Sequence, residues 1–138
     1  MKLVYPVLIQ KNKEKNENYR IVYIPDLDSY TEGDTIADCI NMARDVIGLH
    51  CLSLDEDDNK PFPKASSLED IEIKENEFVT LVDVDYDEYK RQYSLKTVRR
   101  NVTLPSWINY AAEKSGVNVS AILQKALIQE LHLSENKA

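Results

Sequence analysis

The stretch TVRRNVTLPSWINYAAEKSGVNVSAILQKALIQEL, residues 97–131, sets the architecture of the last third of this chain. In its first eight residues apolar and polar side chains alternate, though imperfectly, which indicates a strand. Pro105 follows, and proline is often the first residue of a helix. A short apolar stripe follows and ends near Gly116, and a second apolar stripe begins after Asn118. One strand and two short helices bury too little apolar surface to fold alone. The sequence therefore predicts that this segment dimerises.

The first two thirds of the chain carry strand patterns around one helix pattern. LVYPVLIQ (residues 3–10) and YRIVYIP (residues 19–25) are rich in β-branched residues and predict two strands, and a short third strand is predicted at residues 27–31. From Ile36 the apolar residues repeat with helical spacing, with Asp34 or Thr35 as the N-cap. FVTLVDVDY (residues 78–86) predicts a closing strand after a long polar loop. The prediction is an α+β domain in the order β-β-β-α-β.

Charge divides the chain where the polar segment 87–95 is predicted to be a linker. The formal net charge is −7, but residues 94–138 hold six basic and three acidic residues, whereas the remainder holds 11 basic and 21 acidic residues. The predicted domains are therefore residues 1–93 and residues 94–138. An acidic body with a basic module suggests two partners of opposite charge, a basic protein and a nucleic acid.

Several classes of protein do not fit this sequence. No stretch approaches the roughly 18–20 apolar residues that cross a bilayer, and no signal segment is recognisable, so we expect a cytoplasmic protein without a membrane partner. Cys39 and Cys51 have no metal-binding or disulfide spacing and are predicted to be buried free thiols. Nucleophile, phosphate-loop and zinc motifs are missing from the sequence, and we predict no catalytic residue, metal or cofactor.

Residues 97–131 resemble a ribbon-helix-helix domain because they contain the motifs VTLP and G-x-N-x-S. The resemblance implies a homodimer whose paired strands enter the major groove of a palindromic operator, while the second helix holds a DNA phosphate at its N-terminus. Strand alternation assigns base reading to Thr97, Arg99 and Asn101. The predicted phosphate contacts are Arg100, Asn118, Val119 and Ser120.

The first 86 residues resemble the HicB antitoxin domain. The motifs are YRIVYIPDL (residues 19–27), TEGDT (residues 31–35), the amphipathic helix, the PFP loop and the closing strand FVTLVDVD. Family members usually carry PDLPGC where this chain has PDLDSY. The resemblance implies a reduced ribonuclease-H-like layout and a partner of the HicA type, a small basic toxin that cleaves messenger RNA with a histidine. The predicted toxin contacts are Asp26, Asp28, Glu32 and Asp34.

Together these patterns predict a non-enzymatic antitoxin that also represses its own operon, with the pairing of dimers into tetramers left open. Two alternatives remain at this point. One is a plain dimeric repressor whose acidic domain senses a ligand. The other is a metal-dependent nuclease that uses alternating carboxylates, namely Asp83, Asp85 and Asp87 together with Asp26 and Asp28.

Overall fold

A computed structural model describes residues 1–134 of the chain. The chain divides into Met1–Ser94, called unit 1 below, and Leu95–Ala138, called unit 2. The end of the predicted second domain, residues 135–138, lies outside the described residues.

Unit 1 is built on a four-stranded antiparallel sheet. Its strands are β1 (Lys2–Gln10), β2 (Arg20–Ile24), β3 (Ser29–Gly33) and β4 (Glu77–Asp85), in the order β3-β2-β1-β4. The four predicted strands are confirmed, and β3 begins two residues later than predicted. The reason is a 3₁₀ turn at Pro25–Leu27, which ends at Asp28 in the left-handed conformation (φ 45°) and so delays the pairing with β2.

The helix α1 (Ile36–Ser53) covers one face of the sheet. Thr35 caps it: the Thr35 side chain accepts a hydrogen bond from the Asp38 amide at 3.1 Å, and Asp38 accepts one from the Thr35 amide at 3.3 Å. The helix packs so tightly on the end of β3 that a Cβ on Gly33 would lie 2.6 Å from the amide nitrogen of Cys39. Only glycine fits at this junction without moving the backbone.

The core of unit 1 lies between α1 and the sheet. Alternate residues of the strands point into it, and Cys39 and Cys51 are free, buried thiols as predicted. Burial raises the pKa of the Cys51 thiol to about 11, which keeps it protonated and inert. The strand residues of the core are Tyr5, Val7, Ile9, Val22, Ile24, Val82 and Val84.

The predicted linker at residues 87–95 is wrong, because most of it forms the helix α2 (Tyr86–Tyr93). Asp85 caps this helix by accepting a hydrogen bond from the Glu88 amide at 3.3 Å. Tyr86 is buried in the core, and Tyr89 packs over Gly48 of α1 and donates a hydrogen bond to Asp45 at 2.9 Å. Two apolar anchors in a polar sequence suffice for a short helix that packs on a neighbour.

A long loop connects α1 to β4 and is tied to unit 1 at several points. It begins with a π-helical turn at Leu54–Asp58, where Asp55 accepts a hydrogen bond from the Tyr86 hydroxyl at 2.7 Å. The Tyr5 hydroxyl donates to the Pro63 carbonyl at 2.6 Å, and Phe62 packs edge-on against Tyr86. These contacts fix the loop without a strand or helix of its own through residues 59–67.

Unit 2 contains the helices α3 (Ser106–Ser115) and α4 (Val119–Glu130), separated by Gly116 in the left-handed conformation (φ 67°). Both helices lie where the sequence predicts them. The predicted strand at residues 97–104 is not formed in this single chain, because no second strand is available to pair with it. None of the helices in residues 1–134 combines the length and the apolarity needed to cross a bilayer.

Candidate partner-binding surfaces

The four carboxylates predicted to contact a toxin surround the path from β2 through β3 to α1. Asp26 is half-buried, and its carboxylate accepts hydrogen bonds from the amide of Ser66, at 3.0 Å, and from the Ser66 hydroxyl. Asp28 is exposed and accepts a hydrogen bond from the Tyr23 hydroxyl at 2.9 Å. These two carboxylates therefore fix the loop and the turn, whatever else they contact.

The other two predicted contacts differ in their surroundings. Asp34 pairs with the amine of Lys13, whose hydrogen bond and charge lower the pKa of the Asp34 carboxyl. Glu32 is exposed on β3, opposite Ile21 of β2. By strand alternation Glu32 shares its face of the sheet with Tyr30 and not with the core. Glu32 is thus the member of the set that faces solvent from the sheet itself.

The sheet face that α1 does not cover carries a groove of about 620 Å³. Its floor comes from strand residues that alternate with the core residues, and one wall comes from the loop that precedes β4. Sequence patterns did not indicate this groove, since its two sides are about 40 positions apart along the chain. The lining residues are Leu8, Gln10, Ile21, Tyr23, Pro25, Asp26, Tyr30, Ser66, Asp70, Ile71, Glu72, Lys74 and Glu77.

The predicted DNA-contacting residues lie on the extended segment and at the start of α4, and all are exposed. Asn118 caps α4 by accepting a hydrogen bond from the Ala121 amide at 3.0 Å. A second groove, of about 530 Å³, is lined by Thr97, Val98, Arg99, Arg100, Ser120, Leu123 and Gln124. The structure thus brings Thr97, Arg99 and Arg100 beside Ser120, whereas Asn101 is not part of this lining. Four consecutive residues line one groove because the segment has no strand pleat in the single chain.

The alternating carboxylates near β4 are paired with cations. Asp83 accepts hydrogen bonds from Lys2 at 3.1 Å and from Arg44 at 3.0 Å, and both lower the pKa of its carboxyl. Asp87 pairs with the amino group of Met1, which lowers the pKa of Asp87. Within residues 1–134 there is no cluster of three or more His, Cys, Asp or Glu side chains that could hold a metal ion.

Several aspartates of unit 1 make contacts within its own fold, and the described part of unit 2 leaves large apolar side chains exposed. Exposed apolar side chains of this kind are typical of surfaces that contact other macromolecules. The sequence model of the HicB-like antitoxins of bacterial toxin-antitoxin systems matches residues 5–126, and the chain belongs to this family. The family is one of non-enzymatic antitoxins.

Three known proteins are similar to the chain over most of its length. An uncharacterised 14.9 kDa protein from the rep-hol intergenic region of Haemophilus phage HP1 (strain HP1c1) is 30% identical over an alignment of 109 residues, and the alignment covers 75% of this chain and 74% of the phage protein. A chain of a toxin-antitoxin complex from Streptococcus pneumoniae superposes with a TM-score of 0.63 at 22% identity, covering 94% of this chain and 99% of that one. The Burkholderia pseudomallei antitoxin HicB superposes with a TM-score of 0.52 at 24% identity, covering 94% and 98%. These two structures show that the fold is shared.

Proposed function

We propose that unit 1 neutralises a small basic toxin of the HicA type and that unit 2 binds operator DNA as a homodimer. The observation that carries the second part is that not one of the described residues of unit 2, 95–134, is buried. Two helices with this much exposed apolar surface have no core of their own. A second copy of the same unit is the partner that completes such a core.

The exposed apolar side chains of unit 2 favour a ribbon-helix-helix dimer over a unit that stays monomeric. Trp107 is 73% exposed and Ile122 is 55% exposed, and large side chains are seldom left in water to this extent on a stable domain. In a dimer, residues 97–104 of two copies would pair as antiparallel strands and give each other the backbone hydrogen bonds that the single chain lacks. Val102 and Leu104 would then face the helices.

Operator binding follows from the chemistry of the paired strands. On such a ribbon Thr97, Arg99 and Asn101 face the major groove, where Arg reads guanine and Asn reads adenine by paired hydrogen bonds. The amides of Val119 and Ser120 are the first of α4, and the helix dipole adds to their attraction for a phosphate. Arg100 adds a positive charge beside them. The basic charge of unit 2 supports the same proposal.

Toxin neutralisation rests on the acidic charge of unit 1. Residues 1–93 hold 21 acidic and 11 basic residues, and a toxin that grips RNA phosphates presents a basic face. Opposite charges steer such an encounter and set its orientation. The proposed contacts are the turn carboxylates Asp26, Asp28, Glu32 and Asp34. We expect this chain to act in the cytoplasm, where a toxin meets messenger RNA.

Co-purification tests the proposal. The full chain is expressed together with the product of the reading frame next to its gene, where we expect a small basic protein, and the histidine of that protein is replaced by alanine to spare the host. We expect a complex that survives gel filtration and that retards DNA from the promoter of the same gene. A chain that retards the DNA but never binds the basic protein would be a plain repressor and would contradict the antitoxin assignment.

A further inference from the structure

The groove on the uncovered face of the sheet has the chemistry of a binding site for a basic side chain. Four of its lining residues are acidic, namely Asp26, Asp70, Glu72 and Glu77, and Lys74 is the only basic residue among them. Asp26 is committed to Ser66, and Glu77 accepts a hydrogen bond from the Lys74 amide at 2.8 Å. Asp70 and Glu72 are exposed at the rim of the groove.

An aromatic pair on β2 and β3 also lines this groove. The rings of Tyr23 and Tyr30 stack with their centroids 4.4 Å apart. The Tyr23 hydroxyl donates a hydrogen bond to Asp28, which holds the Tyr23 ring in place. Tyr30 is 67% exposed, so one face of its ring is open to a ligand. A guanidinium binds such a face by cation–π attraction and binds a neighbouring carboxylate through two parallel hydrogen bonds.

Charge decides which kind of molecule can occupy the groove. A nucleic acid would place phosphates against carboxylates, and a second copy of unit 1 would bring a surplus of 10 negative charges against the same surplus. A basic protein meets no such repulsion. We propose that an arginine side chain from a basic segment of the toxin enters the groove and lies between Tyr30 and Glu72. The toxin contact would then extend beyond the turn carboxylates into the groove. This inference rests on the proposed toxin partner.

Four variants of the full chain test the groove. Tyr30→Ala removes the ring, and Glu72→Lys reverses a rim charge. Glu75→Lys is the matched charge control, since Glu75 is exposed in the same loop but is not part of the lining. Leu49→Ala is the matched apolar control, since Leu49 is 58% exposed on α1, on the other side of the sheet. All four changes are at exposed positions, and near-ultraviolet circular dichroism checks that each variant is folded.

The dissociation constant is measured by calorimetry against the histidine-to-alanine form of the basic protein encoded beside the gene. We expect Glu72→Lys to weaken binding about tenfold or more, because it places a like charge against the arginine. Tyr30→Ala should weaken it about threefold to thirtyfold through the lost cation–π contact. Both controls should stay within about twofold of the unaltered chain.

Each alternative outcome has a separate meaning. If the unaltered chain binds the basic protein and the groove variants bind as well as their controls, the groove proposal is overturned while the antitoxin function stands. If the unaltered chain does not bind it, the proposed function fails and takes the groove proposal with it. If Tyr30→Ala instead lowers the oligomeric state of the protein in sedimentation and leaves the dissociation constant for the basic protein unchanged, a second copy of the chain occupies the groove. The proposal is then again overturned.

Discussion

Gly48→Ala tests the packing of α2 on α1, the feature of unit 1 that contradicts the predicted linker. A Cβ on Gly48 would lie 2.4 Å from Cε2 of Tyr89, which is inside van der Waals contact. The ring must therefore move, and its hydroxyl then leaves Asp45, to which it donates at 2.9 Å. We expect the substitution to destabilise unit 1 although alanine is the better helix former.

The expected magnitude combines three contributions. Replacing glycine by alanine inside a helix favours folding by about 1 kcal/mol. Losing the hydrogen bond to Asp45 costs about 1 kcal/mol, and displacing the packed ring costs about 1–3 kcal/mol. The net loss is about 1–3 kcal/mol, which lowers the melting temperature of a unit of this size by about 4 °C or more.

A double-mutant cycle with Tyr89→Ala isolates the contact. Seven of the eight tyrosines lie in residues 1–94, so near-ultraviolet tyrosine dichroism follows unit 1, while the single tryptophan, Trp107, follows unit 2. In the Tyr89→Ala background we expect Gly48→Ala to stabilise unit 1 by about 1 kcal/mol, because only the helix preference remains. The same destabilisation in both backgrounds would refute the packing of Tyr89 over Gly48.

Four further substitutions address DNA binding, dimerisation and pH. Arg99→Ala and Asn101→Ala should each weaken operator binding by about 1–3 kcal/mol per half-site in gel shifts; an equal loss on scrambled DNA would make these residues phosphate contacts. Leu123→Asp should abolish both the dimer in sedimentation and operator binding, because it puts a charge into the proposed shared core. Unit 1 should lose stability as the pH falls through the lowered pKa of Asp83, below its ordinary 3.8, since the protonated carboxyl no longer pairs with Lys2 and Arg44. In a plot of melting temperature against pH, Asp83→Asn should reduce this fall at acid pH. An unchanged fall would mean that other carboxylates cause it.

Patterns that repeat within a few residues predicted the elements well. Alternation in residues 78–86 gave a strand whose Val82 and Val84 are buried, and helical spacing from Ile36 gave a helix that buries Cys39 and Ala43. Local capping chemistry likewise limited the N-cap of α1 to Asp34 or Thr35, and the structure has Thr35 in that role. These predictions succeed because side-chain direction within one element depends on neighbours only a few positions away.

The sequence alone determined the set of strands and helices, the acidic and basic halves of the chain and its resemblance to the HicB antitoxins. The tertiary structure alone decided that residues 86–93 form a helix, because Tyr89 gains its stabilising contact from Gly48 some 40 positions earlier. It also decided that Asp26 holds Ser66 and that Tyr30 and Glu72 line one groove. Contacts between such distant residues leave no periodic trace in the sequence, since they depend on how the strands and loops meet in space and not on the spacing within any one of them.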